Sequence, residues 1–95
     1  MSKYHITDYS KERAERLGVI IKPSKNPKKK IDVFGKPFGN FICSIGFFGM
    51  SDYPTYIKTH GIAYAKERRR LYRARHKEDR NEYNTPGWFA DKILW

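Results

Sequence analysis

The stretch Ser51–Arg80, SDYPTYIKTHGIAYAKERRRLYRARHKEDR, is the one long segment with sustained helical periodicity. Steps of three or four from Tyr53 run through Ile57, Gly61, Tyr64, Arg68, Leu71 and Arg75. That stripe begins apolar and becomes basic, so one end of the helix is suited to burial and the other to solvent or a partner. Ser51 or Asp52 can accept from the unpaired first-turn amides, and Pro54 falls where a missing N–H costs nothing. Gly61 either closes a short first helix in a left-handed conformation or allows close packing within a continuous one; a kink or break there is the expectation.

Between Lys66 and Arg80 stand eight cations, Lys66, Arg68, Arg69, Arg70, Arg73, Arg75, Lys77 and Arg80, against Glu67, Glu78 and Asp79. Arginine dominates, and its planar fork binds phosphate or carboxylate bidentately and stacks on bases. The plainer reading is a solvated helix face laced with Glu67 and Glu78. The charge of the whole chain, +10 at neutral pH over 95 residues, favours a polyanion or an acidic protein face as partner.

Outward from the helix, the N-terminal side reads as sheet. Val19-Ile20-Ile21 is β-branched throughout, and Ile31–Phe34 and Phe41–Ile45 flank Gly35-Lys36-Pro37-Phe38-Gly39-Asn40, a hairpin connection. Strands at 19–22, 30–35 and 41–46 are predicted to form one antiparallel sheet. Between the first two, Lys22–Lys30 carries five lysines and two prolines, a basic loop that either tracks phosphates or serves solubility. Ahead of the sheet, Lys11–Leu17 reads as a short helix capped by Thr7, Asp8 or Ser10 and ended by Gly18. Beyond Arg80, Thr85-Pro86 opens a closing helix crowded with Trp88, Phe89, Ile93, Leu94 and Trp95. That helix is expected to fold back on the sheet or to insert into another subunit.

The fold expected is therefore α+β: a small three-stranded antiparallel sheet packed by a long basic helix, with short N- and C-terminal helices. The length suits one domain over residues 1–95, divided as an N-terminal helix (1–18), a sheet (19–50), the basic helix (51–80) and an aromatic helix (85–95). Its expected core is Ile31, Val33, Phe41, Cys43, Ile45, Ile57, Tyr64, Leu71 and Phe89.

Chemistry that would make an enzyme is thin. His5, His60 and His76 lie far apart without a carboxylate or thiol at ligand spacing, so no metal and no cofactor is expected. Glu78 and Asp79 are adjacent and so point to different faces of a helix, which suits a solvated ion-pair cluster better than a catalytic pair. The single cysteine, Cys43, excludes an intrachain disulfide and fits a reducing compartment. No stretch reaches about 18 apolar residues and no cleavable signal follows Met1, so no membrane partner is expected.

The candidate polyanion-binding residues are Lys25, Lys28, Lys29 and Lys30 in the loop and Lys66, Arg68, Arg69, Arg70, Arg73, Arg75 and Lys77 on the helix. Phe47 and Phe48, adjacent between Gly46 and Gly49, cannot both enter one core from a strand. Either one packs under the helix start while the other is tolerated outside, or the pair meets a partner. Trp88 and Trp95 are further candidate partner contacts.

The runs FICSIG (41–46), DYPTYIKTHG (52–61), YAKERRRLYRARHKEDR (64–80) and TPGWFADKILW (85–95) carry a resemblance. Across nearly the whole chain after Tyr4, the sequence resembles a family of small basic proteins of unknown function encoded by large nucleocytoplasmic DNA viruses. Phe47-Phe48 departs from the smaller, more polar pair of that family. The resemblance implies a viral setting, in the virion or in the nucleus or cytoplasm of an infected cell, and no activity. Two functions follow as expectations. One is a non-enzymatic protein that binds nucleic acid electrostatically, DNA in preference to RNA, in packaging or organisation. The other is a minor structural protein of the capsid or virion that meets acidic faces of its neighbours.

Overall fold

The computed structural model describes residues 4–95; positions 1–3 of the segment assigned to the N-terminal helix lie outside the described residues. The fold is α+β, with a three-stranded antiparallel sheet and four α-helices. Two compact units meet the eye where composition suggested one domain: the residues up to Met50 form the first and Ser51–Trp95 the second. The division falls at the junction read from the sequence between sheet and helix.

In the first unit, α1 spans Asp8–Leu17, with Thr7 Oγ1 accepting from the Ser10 amide at 3.2 Å. Gly18 closes it in the left-handed conformation and donates to the Ala14 and Glu15 carbonyls. The helix packs on β1 (Val19–Pro23), which pairs with β2 (Lys29–Gly35), which in turn pairs with β3 (Phe41–Phe47). Directly opposed residues share a face, so Ile21, Val33 and Cys43 lie on one side together with Ile31 and Ile45. Ile31, Val33, Cys43 and Ile45 are buried, as expected.

Phe41 departs from the expectation and is 59% exposed. The β2–β3 ladder carries a bulge between Val33 and Phe34: Val33 faces Cys43 but Phe34 faces Phe41, so Ile42 is an extra residue. One extra residue reverses the alternation beyond it. Phe41 is thereby turned to the face of Phe34, where the two rings meet edge to face at 5.8 Å.

In the second unit, Asp52 caps α2 (Tyr53–His60) by accepting from the Thr55 amide at 3.1 Å, and Pro54 sits in the first turn. Gly61, at φ 91° and ψ 167°, separates α2 from α3 (Ile62–Arg75). A side chain is strained in that region of backbone space, so the break is written into this one residue. The basic helix read over 51–80 is thus interrupted at Gly61, as expected, and a 3₁₀ turn at Asp79–Asn81 follows the second helix. Thr85 then caps α4 (Pro86–Ile93), accepting from the Trp88 amide at 3.3 Å.

The closing helix packs inside this helical unit. Phe89, Ala90, Ile93, Leu94 and Trp95 are buried, the Leu94 carbonyl accepts from the Tyr53 amide at 3.0 Å, and the Trp95 indole stacks on the Tyr72 ring at 4.4 Å. These contacts decide which face of α3 is covered. Ala65 and Tyr72, two turns apart, are buried, while Tyr64 and Leu71 are 43% and 39% exposed. The expected stripe is thus displaced by one residue, about 100° of helix rotation. Alanine at 65 admits a close neighbour, and Tyr72 offers Trp95 a flat ring, so the larger apolar Leu71 is left outside. Ile57 is only half buried.

Candidate polyanion-binding surfaces

The eight cations between Lys66 and Arg80 divide according to what they touch. Arg73 and Arg80 both donate through Nε to Oδ1 of Asp91, at 3.1 and 3.2 Å, and that carboxylate is almost wholly buried. Lys92 adds a third positive charge, its Nζ 3.7 Å from the other Asp91 oxygen. A carboxylate withdrawn from water needs such partners. Arg73, expected on the binding face, is therefore committed to holding α4 against α3.

Arg70 is exposed but bound to Glu67 one turn back, with its Nε 3.1 Å from Oε2. The guanidinium hydrogen bond holds the Glu67 carboxyl below its usual range, and the same contact raises the Arg70 pKa. Arg69 is half buried, with its guanidinium 4.0 Å from the Tyr53 ring centre, and Arg68 lies 5.4 Å from that of Tyr56. Both keep their charge, since an aromatic face attracts a cation without neutralising it. Lys66, Arg75 and Lys77 are exposed and have no ion-pair partner among the described residues.

Aromatic rings run alongside these cations. His60 stacks on Tyr64 at 4.4 Å across the break at Gly61, Tyr56 lies 5.5 Å from Tyr64, and His76 stacks on Tyr72 at 4.3 Å. His76 Nδ1 is 3.1 Å from Asp79 Oδ2. Burial, together with the negative charges of Asp79 and Asp91, pushes the Tyr72 phenol up to about 12. The ring is thus a neutral packing element across the ordinary pH range.

The lysine loop of the first unit is a built structure. Its anchor is Asp32, buried at the centre of β2, which accepts from Ser24 Oγ and Ser44 Oγ at 2.6 Å each and from the Lys25 amide at 3.2 Å. Burial alone raises its carboxyl, but the Ser24, Ser44 and Lys25 hydrogen bonds together outweigh that and hold it below the usual range. From the anchor the loop folds on itself. Ser24 Oγ accepts from the Asn26 amide at 3.0 Å, and Asn26 Oδ1 accepts from the Lys28 amide at 2.9 Å.

Of the four loop lysines proposed from the sequence, Lys25 and Lys28 are exposed and Lys29 is half buried. Lys30 is only 3% exposed, with its ammonium 5.2 Å from the Tyr4 ring centre, so it is withdrawn from the basic surface. Strand alternation accounts for this: Lys30 shares the face of Asp32, whereas Lys29 points to the other side. Cys43 is buried, and burial together with the Asp32 charge pushes its thiol up and keeps it protonated.

Phe47 and Phe48 are both left in solvent, 64% and 44% exposed, so neither packs away as one of the two readings required. Trp88 is half buried, edge-on to Tyr83 and Phe89 at 5.0 Å. Trp95, expected as a partner contact, is a core residue beneath Tyr72.

Two acids that matter here, Asp32 and Asp91, stand outside the candidate residues read from the sequence, and Arg80 is counted there as a cation without a role. Their signal was present, since an acid inside a β-branched strand or an apolar helix has to find a partner. What sequence could not supply was which partner. Among the described residues no group of three or more His, Cys, Asp or Glu side chains could hold a metal ion, and no helix is long and apolar enough to cross a membrane. Comparison with models of protein families, with curated proteins and with solved structures finds no match to this chain.

Proposed function

We propose that this protein is a non-enzymatic nucleic-acid-binding protein whose helical unit holds the phosphate backbone by charge and reads little or no base sequence. The observation that carries the proposal is the uneven pairing of charge on and after α3. Asp91 is held by Arg73 and Arg80, Glu67 by Arg70 and Asp79 by His76, while Lys66, Arg75 and Lys77 face solvent with no ion-pair partner among the described residues. Asp91 and Glu67 are thus already engaged, and the exposed Glu78 and Glu82, with no ion-pair partner among the described residues, are outnumbered by the open cations. Arg68 and Arg69 add charge that their tyrosine neighbours leave intact.

Salt dependence separates this reading from a protein–protein role. With about four phosphates engaged on a duplex, the logarithm of affinity falls against the logarithm of salt with a slope of about −4. Arg75→Ala lowers that slope by about one without altering sequence preference, whereas Arg73→Ala lowers stability and leaves the slope nearly unchanged. Fluorescence anisotropy over a salt series measures both. Absence of binding to DNA or RNA at low salt would falsify the proposal and leave the virion-structural reading standing.

A further inference from the structure

Two stretches that read as separate features in the sequence, the lysine loop and the phenylalanine pair, are brought together at one end of the sheet. Lys29 is directly opposite Phe47 in the ladder, and its ammonium lies 4.2 Å from the centre of that ring. The Phe48 amide donates to the Lys28 carbonyl at 2.9 Å, so the backbone that carries the second ring is tied to the loop as well. The loop itself is held by the Asn26 carbonyl, which accepts from the Lys29 amide at 3.0 Å, and by the Ser24–Asp32 hydrogen bond. Neither Lys28 nor Lys29 has an ion-pair partner among the described residues, because the nearby buried acid, Asp32, is satisfied by hydroxyls and a backbone amide.

We propose that this strand end binds unpaired bases of single-stranded nucleic acid, with a base stacking on the exposed rings of Phe47 and Phe48 while Lys28 and Lys29 hold the flanking phosphates. The occupant follows from the chemistry. An acidic peptide would satisfy the two ammonium groups but would leave two rings in water, and an apolar partner would bury the rings against uncompensated lysines. A nucleotide carries an anion and a flat π-face within one unit and meets both needs. A duplex does not, because its bases are already stacked on one another. The ammonium of Lys29 covers part of Phe47, yet the ring remains 64% exposed, which leaves area for a base. This inference deepens the proposed nucleic-acid function and rests on it, assigning the first unit a preference for unpaired strands beside the charge-driven grip of the helical unit.

The test uses the full chain and three labelled ligands: oligothymidylate of about 15 nucleotides, an abasic strand of the same length, and a duplex. Joint replacement of Phe47 and Phe48 by Ala is expected to weaken oligothymidylate binding by about tenfold or more, and to leave the abasic strand and the duplex within about twofold. Phe47 is 64% and Phe48 44% exposed, so at most a small drop in melting temperature is expected, and unchanged abasic-strand and duplex binding controls for it. As a second readout, a Phe47→Trp variant should show fluorescence quenching on adding oligothymidylate and none with the abasic strand, after subtraction of the signal from Trp88 and Trp95. Equal losses on all three ligands, or no loss and no quenching, overturn the inference. So does an oligoglutamate that binds as tightly as oligothymidylate and is weakened by the same double replacement. Retained, salt-sensitive duplex binding without a single-strand preference removes this inference alone; no binding to any of the nucleic acids removes the proposed function with it.

Discussion

Asp32 in the first unit and Asp91 in the second, which also buries the helix cap Asp52, are each withdrawn from water beside a basic cluster, and the two solve the problem differently. Asp32 is satisfied by two serine hydroxyls and a backbone amide, all neutral donors, so the lysines around it keep their charge for solvent or a ligand. Asp91 is satisfied by two guanidinium groups, which removes Arg73 and Arg80 from the pool of available cations. Counting charges along the chain therefore overstates the positive surface of the helical unit, whereas in the loop it errs only at Lys30. The lesson is general: a basic run gives an upper bound on binding charge, and the buried acids decide how much remains.

The contrast can be broken most sharply at Asp91. Asp91→Ala leaves two partly buried guanidinium groups without their acceptor, and removing one partner of such a cluster is expected to cost about 3 kcal/mol or more. Urea unfolding followed by helical circular dichroism measures it. A loss below about 1 kcal/mol would show that the arginines relax into water and that the clamp is incidental.

Tyr72 reports the same electrostatics from the packing side. Its folded-state pKa of about 12 lies above the ordinary 10, so the stability it contributes is complete below pH 10 and is lost as pH rises from 10 toward 12. Two pKa units correspond to about 3 kcal/mol. Tyr72→Phe should flatten the dependence of stability on pH in that window, and Asp91→Asn should shrink it by removing one of the charges that oppose ionisation. Alkaline unfolding of the variants, with tyrosinate absorbance as a second signal, checks both expectations.

The smallest effect is expected at Asp32. Because its carboxyl is held low, the stability it contributes is present above its unfolded value near 3.8 and is lost as pH falls through the folded value. Asp32→Asn keeps an acceptor but loses the charge, at a cost of about 1 to 2 kcal/mol, and should loosen the loop more than the sheet. Amide hydrogen exchange at Lys25 and Asn26 is the measurement. Exchange there equal to that of the native protein would mean that the loop is held by Asn26 alone.

Much of the architecture was legible in the residues. The three strands, the hairpin between Gly35 and Asn40, the start of α4 at Thr85-Pro86 and the interruption at Gly61 all agree with the reading of the chain. The candidate site was legible in its parts only. The lysine loop, the phenylalanine pair and the arginine run each stood out, but nothing local told that Lys29 would lie over Phe47 or that Arg73 would turn inward.

What the amino-acid sequence determined by itself is what residues a few positions apart can settle. Thr7, Asp52 and Thr85 each cap a helix by accepting from an amide three residues ahead, and Gly61 breaks one because other side chains are strained at its backbone angles. The tertiary structure alone decided which face of α3 is buried, where the bulge turns Phe41 outward, and which cations stay available. Each depends on a partner outside its own element: Trp95 for Tyr72, Phe34 on the neighbouring strand for Phe41, and Asp91 for an arginine 18 residues before it. Helical periodicity marks the faces a helix can offer, but only contact with a neighbour selects one, because burial free energy belongs to the pair of surfaces that meet and not to either alone.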